Sequence, residues 1–551
     1  MKKKYIPLLI CMLFVSCSNM NNSSSSEMSS SSQELSSESG TVSISEESTS
    51  SLLEGKDYIN SLSNEEKKNL SLQGYAKNGI GDFSIYKDTN QYRVVNTASE
   101  FINALNDARY EYETIWNEET STYTQNLIKE GSVKVIEIAS DLNLGYFKLS
   151  DEDKQITSVV SDYASKYSSL KEKLYFSNMF LENGISQIKI ERTSNLLIYS
   201  LNGAKITHAG FKVNSCDNLV FRNIFFDELW QWEDSNSTSL SKIGDYDNFG
   251  WSYFKLGFIG SVWIDHCSFG KSYDGQIDYA DANYHSSKAT SFRAPYTTSK
   301  TKGLSITWCD FNAGSISEDG YIYKMMLDIE KDYAEGKENC LYYKALRDKG
   351  ISFEDILNGL AIPQKKGFLF GDDQDYSEDN HAEYDYNLEL NISISNSKIT
   401  NFADRLPKIR GGNVYMYNTI FDSTFYYESR AKLQSQRAIS AVTSVKSDWK
   451  CALVSQGIVC GQGGSVKAEN CEFLMINTLL KNNDSGSPAP YLYGGYELIN
   501  CRYKSNKVDY IGSSNDANNK FSNSSDSTLS TEYFKWHTED GSAPFDVEVL
   551  I

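Results

Sequence analysis

Seven short runs of this chain end in the same way, and that repetition limits the possible folds more than any other feature. The runs are VFRNIFF (220–226), IDHCSFG (264–270), TWCDF (307–311), SNSKI (395–399), YNTIF (417–421), ENCEF (469–473) and INCRY (499–503). Each carries a polar or small residue two positions before a large apolar one. The small positions are Asn223, Cys267, Cys309, Ser397, Thr419, Cys471 and Cys501. The large positions are Phe225, Phe269, Phe311, Ile399, Phe421, Phe473 and Tyr503. His266, Asn396, Asn418, Asn470 and Asn500 stand just before the small column. Ile399 and Phe421 are separated by roughly 22 residues, about one coil; other rungs are spaced at about two coils, or one coil plus a long loop. Such a repeat describes stacked units that bury their faces against one another. The expected fold is all-β, a right-handed parallel β-helix of single-stranded coils, with aromatics stacked on aromatics and asparagines bonded along the axis. A sandwich of hairpins would need frequent Asn-Gly or Asp-Gly turns, and few occur between paired runs.

The cysteines fit this reading. Of ten, Cys11 and Cys17 lie near the start, and no C-x-x-C pair suggests zinc. Those of the small column read as buried small apolar residues rather than disulfides. Two segments break the repeat with helix-like apolar spacing, 151–185 and 318–360. They are expected to be helical insertions on loops. The second either overhangs a site near KKGFLFG or packs outside the coils.

The start of the chain reads as an export signal over 1–17: basic MKKK, a short apolar core and SC. FVSC resembles the bacterial lipoprotein box, which would make Cys17 the lipidated residue; Phe14 replaces the usual leucine. Residues 18–52, rich in Ser and Glu, cannot bury enough apolar surface to fold and read as a disordered tether. Residues 53–551 are then the β-helix domain, held at the cell surface by lipid alone. The formal charge of −20 excludes nucleic acid as a partner. An anionic polymer would need a local basic groove.

RLPKIR (405–410) offers such a groove: two arginines and Lys408 beside Pro407, which fixes the chain direction. It is one of four ordered motifs, with SVWIDHCSF (261–269), DGQID (274–278) and KGFLFG (366–371). Together they resemble the pectate lyase family (polysaccharide lyase family 1), over roughly residues 91–510. The resemblance implies a parallel β-helix that cleaves polygalacturonate by β-elimination. A proton leaves C-5, alpha to the uronate carboxylate, and the bond at C-4 breaks. Fixed positive charge beside that carboxylate lowers the barrier, and calcium suits the task because it takes several oxygen ligands.

By the resemblance, Asp274 and Asp278 bind calcium, Lys366 and Arg410 bind substrate, and Arg405 is the base. Taken alone, a D-x-x-x-D spacing describes a solvated turn as readily as a ligand pair. Guanidinium is ordinarily protonated, so an arginine base implies activity that rises toward alkaline pH. Asp265 and His266 invite an acid–base reading, but the repeat sets both inside a coil turn, where they are structural. Ser252 stands where a calcium-binding Asp is expected. Asp245 or Asp247 could supply the missing carboxylate, or Lys255 a fixed ammonium. Gln364 and Lys365 stand where a histidine precedes the family's lysine. The expected partner is pectin or polygalacturonate, and the expected state a monomer. Two other readings remain: a non-catalytic pectin-binding β-helix, favoured by Ser252, and a polygalacturonase-type hydrolase using the aspartates of GDDQD (371–375).

Overall fold

The structure, a computed structural model, describes residues 74–76, 80–119, 122–235, 249–280, 303–312, 319–337, 340–371, 387–445, 452–482, 494–514 and 522–523. The export signal, Cys17 and the tether lie outside the described residues. No helix among the described residues is long and apolar enough to cross a membrane.

Short strands stack in parallel to form three faces around one core, a right-handed parallel β-helix. The first face runs through Phe254–Ile259, Ile277–Tyr279, Phe368–Phe370, Lys408–Arg410, Gln456–Gly461 and Thr478–Asn482. The second runs through Ser261–Asp265, Gly303–Thr307, Asn391–Ser395, Asn413–Tyr417 and Ser465–Glu469. The third runs through Phe225–Asp227, Ser268–Phe269, Asp310–Asn312, Lys398–Thr400, Ile420–Asp422 and Glu472–Leu474. The long strands Ser186–Tyr199 and Ala209–Arg222 serve the first and second faces in turn. Neighbouring coils are therefore about 4.8 Å apart. The helix Ala98–Asp107, closed by a Thr97/Glu100 capping box, packs Phe101 and Leu105 against the earliest coils.

The aromatic column holds, with one correction. Its first rung is Phe226, which pairs with Phe269; Phe225 pairs with Ser268 and faces outward. Phe226, Phe269 and Phe311 stack with ring centres 5.2 and 4.4 Å apart. Phe421 and Phe473 stack at 4.9 Å. Ile224, not Asn223, therefore heads the small column. Asn223 belongs with His266, Asn396, Asn418, Asn470 and Asn500, all of which take positive φ. Asn tolerates that left-handed turn better than most residues. Its amide also bonds along the axis: Asn418 Nδ2 donates to Asn396 Oδ1 at 2.7 Å, and Asn500 Nδ2 to Asn470 Oδ1 at 2.7 Å. The wide sequence gaps are single coils with long excursions, because Phe226 and Phe269 are direct neighbours. Cys267, Cys309, Cys471 and Cys501 are buried free thiols.

The insertions divide. Among the described residues of 318–360, helices lie at Tyr321–Ala334, Leu341–Asp348 and Phe353–Ile356. They pack on the outside of the coils. Buried Asp234 accepts the backbone N–H groups of Tyr342 and Tyr343 at the start of the second helix, and Trp232 stacks on Tyr342. Residues 151–185 are not one helical unit. The β-branched Val160 pairs antiparallel with Ile188, and Ser150 and Ser177 each start a separate short helix.

Replacing Phe269 by Ala removes the centre of the aromatic stack and is expected to cost about 3–5 kcal/mol in chemical denaturation. Phe225→Ala is expected to cost about 1 kcal/mol or less. Equal costs would return the register to the one read from sequence.

Candidate active site

The strand Ile277–Tyr279 buries its two flanking residues and turns Asp278 outward. In register with Asp278 on the first face stand Lys255 on one side and Leu369 then Lys408 on the other. Ser252 Oγ donates to Asp278 Oδ2 at 3.0 Å. Asp278 Oδ1 is buried and has no hydrogen-bond partner among the described residues. Burial and the neighbouring Asp274 push the Asp278 carboxyl up to about 6, against the pull of Lys255, Ser252 and Arg405. Two carboxylates and a hydroxyl thus share one neighbourhood, with one oxygen left over.

Asp274 is fixed by its own backbone and by Gln364. Its N–H donates to Trp251 O at 2.9 Å, and Gln364 Nε2 donates to its carbonyl at 2.6 Å. Gln364 also donates to Lys366 O and accepts from Ser272 N. The buried amide at this position therefore ties the Asp-Gly turn to the strand Gln364–Lys366. Lys366 Nζ lies 2.7 Å from Asp274 Oδ1.

The arginine loop follows from the next coil. Strand Phe402–Asp404 runs beside Gln364–Lys366, with Asp404 opposite Lys366. The chain then turns at Arg405, whose φ is +65°, passes a cis Leu406–Pro407 bond and re-enters the first face at Lys408–Arg410. Left-handed backbone is uncommon for a bulky residue and marks a position worth testing for function. Arg405 O accepts the Phe368 N–H at 2.8 Å. A Cβ on Gly367 would lie 2.3 Å from that oxygen, so only glycine fits between Lys366 and Phe368. Ile409 is buried between Lys408 and Arg410, which leaves both on the outer side of the strand.

The structure therefore brings Asp274, Asp278, Ser252, Lys366 and Arg405 together, and sets Arg410 on the same face. Asp245, Asp247 and the aspartates of GDDQD lie outside the described residues. Among the described residues, no group of three or more His, Cys, Asp or Glu could hold a metal ion. Asp265 is fully buried on the second face. It pairs with Arg222 at 2.9 Å and accepts Thr307 Oγ1 at 2.6 Å, and His266 Nδ1 lies 2.8 Å from it. This network binds adjacent coils, in keeping with the structural reading of both residues.

One contributor was not legible. Tyr163, from the first insertion, donates its hydroxyl to Gly250 O at 2.8 Å, and its carbonyl accepts Trp251 Nε1 at 3.2 Å. Phe180 stacks on Trp251, Trp251 on Phe249, and Tyr273 closes the cluster beside Asp274. The insertion thus braces both segments that carry Ser252 and Asp274. Nothing in the local string SDYASK signals this, because its partners lie about ninety residues away.

No family model matches the chain. Pectate lyase B of Paenibacillus amylolyticus is 30% identical over 376 residues, which cover 68% of this chain and 82% of that protein. A pectate lyase of Bacillus subtilis is 20% identical over 349 residues, covering 60% of this chain and 67% of that one. The solved structure of a pectate lyase from Paenibacillus sp. 0602 superposes with a TM-score of 0.61 at 25% identity, covering 81% of this chain and 85% of that chain. These likenesses favour neither the hydrolase nor the binding-only reading. The coil stack, the acid and base groups gathered on its first face and the relationship to pectate lyase B have one reading: the chain belongs to the pectate lyase family and is a polysaccharide lyase.

Proposed function

We propose that this protein cleaves polygalacturonate by calcium-assisted β-elimination, with Arg405 as the base. The observation that carries the reading is the convergence of Asp274, Asp278, Lys366 and Arg405 from successive coils onto one face. The donor set suits a hard cation with oxygen ligands. The buried Asp278 Oδ1 is unanswered among the described residues, and Asp274 and Ser252 Oγ stand close by. Calcium takes six to eight oxygens, so water and the substrate would complete the shell. When bound, the ion draws off the charge that develops on the uronate carboxylate.

This chain's residues do the rest. Lys366 and Arg410 bind substrate carboxylates and orient the chain, which converts an encounter into a positioned reaction. Arg405 takes the C-5 proton. The electron pair becomes the C-4/C-5 double bond, and the C-4 oxygen leaves with the neighbouring sugar and gains a proton. The anionic polymer is met by a local cationic face on an acidic body. The export signal and lipidated Cys17, with residues 18–52 as tether, belong to the same reading: a cell-surface lipoprotein, monomeric, that works on pectin outside the cell.

Arg405→Ala is expected to lower kcat by about 10²–10⁴ with a smaller change in KM and an unchanged melting temperature. The parent rate should rise toward alkaline pH, because the base acts only when deprotonated; a neutral or acidic optimum would count against Arg405 in this role.

Asp278→Asn separates function from stability. Calcium-stimulated kcat/KM should fall by about 10² or more. In calcium-free buffer the melting temperature should equal or exceed the parent's, since the change removes a buried, incompletely satisfied charge. A large loss of stability would assign Asp278 to the scaffold.

A further inference from the structure

Lys255 is the residue of this site that the proposed chemistry leaves without a task. It stands next to Asp278 on the adjacent coil, in the same outward column. Its ammonium lies 5.7 Å from the centre of the Tyr163 ring, which Gly250 O orients through the hydroxyl. A Cβ placed on Gly250 would be 3.4 Å from Lys255 Nζ and 4.0 Å from Asp274 Oδ2. The ammonium and that carboxylate therefore border the same space beside Gly250.

Two ammonium groups flank the two acids. Lys366 bonds Asp274 on its Oδ1, and Lys255 faces Asp274 and Asp278 from the neighbouring coil. The neutral hydroxyl of Ser252 donates to Asp278 Oδ2 and leaves Oδ1 unanswered among the described residues. An ion arriving here meets two carboxylates already opposed by two fixed ammonium groups.

We propose that Lys255 is a built-in counter-cation that keeps the free site weak for calcium, so that the ion is retained only when the uronate adds its own negative charge. This rests on the reading of Asp274 and Asp278 as calcium ligands. Ion capture and substrate capture then become one coupled event, because the substrate carboxylate supplies the charge that Lys255 cancels. Tyr163 positions Lys255, which gives the first insertion a part in setting this affinity.

Calcium titration calorimetry on the full chain without substrate tests the idea. Lys255→Met should bind calcium about tenfold tighter or more than the parent, the size of the lost repulsion between a single and a double charge even when well screened. Lys255→Gln should do the same, and provides a second variant if the first folds poorly. Lys255→Arg, which keeps the charge, and Lys212→Met, one coil away in the same column and paired with Glu191, should match the parent. Equal affinity in the parent and in a folded Lys255→Met, including no detectable binding by either, would overturn the assignment. The calcium-ligand reading is tested separately: it fails if unsaturated product forms from polygalacturonate at the same rate with and without chelator, or if Asp278→Asn leaves calcium stimulation unchanged.

Discussion

Parallel in-register stacking governs the rest of this molecule. Each coil completes its hydrogen bonds only with the coils on either side, so a residue keeps its column along the axis. Like then lies on like. Phe269 stacks flat on Phe311 and Phe421 on Phe473 in the core, and Asn amides turn a strained corner into a ladder of hydrogen bonds. The same constraint frees the loops. Long excursions leave and return without disturbing register, and for that reason the chain can insert helices between neighbouring rungs.

The site exploits that freedom. Strands of the first face hold Lys255, Asp278 and Lys408 in one rigid column, while the neighbouring strand Gln364–Lys366 adds Lys366 and turns add Asp274 and Arg405 from the side. Charges that would repel a polyanion over most of an acidic surface are reversed within a few ångströms. Buried carboxylates with an unsatisfied oxygen are poor for stability, and such groups gather where a ligand completes them. Bracing by Tyr163, Trp251 and Phe180 offsets this by holding the segments that carry them.

Much of this was legible because a repeat multiplies weak signals. One Cys-x-Phe run means little, but several predict a column, and the cysteines proved to be buried thiols. The register slip at Phe225 and Phe226 shows the limit. Two adjacent phenylalanines leave the inward side undecided, and a one-residue shift inverts every side chain. The better marker was Asn223, whose positive φ belongs to the corner occupied by Asn396, Asn418, Asn470 and Asn500. The four motifs located Asp274, Asp278, Lys366, Arg405 and Arg410 through family resemblance, and their convergence needed the coils to be built. Tyr163 and the structural duty of Gln364 could not be read, since both depend on contacts between distant segments.

The central claim is that this face eliminates rather than hydrolyses, and does so with calcium. Ultraviolet absorbance of polygalacturonate incubated with the protein and calcium, then with a chelator, tests it most directly, because only elimination leaves a conjugated C-4/C-5 double bond. The account predicts absorbance that rises with time and stops when calcium is removed. New reducing ends without absorbance, or absorbance indifferent to the chelator, would contradict it.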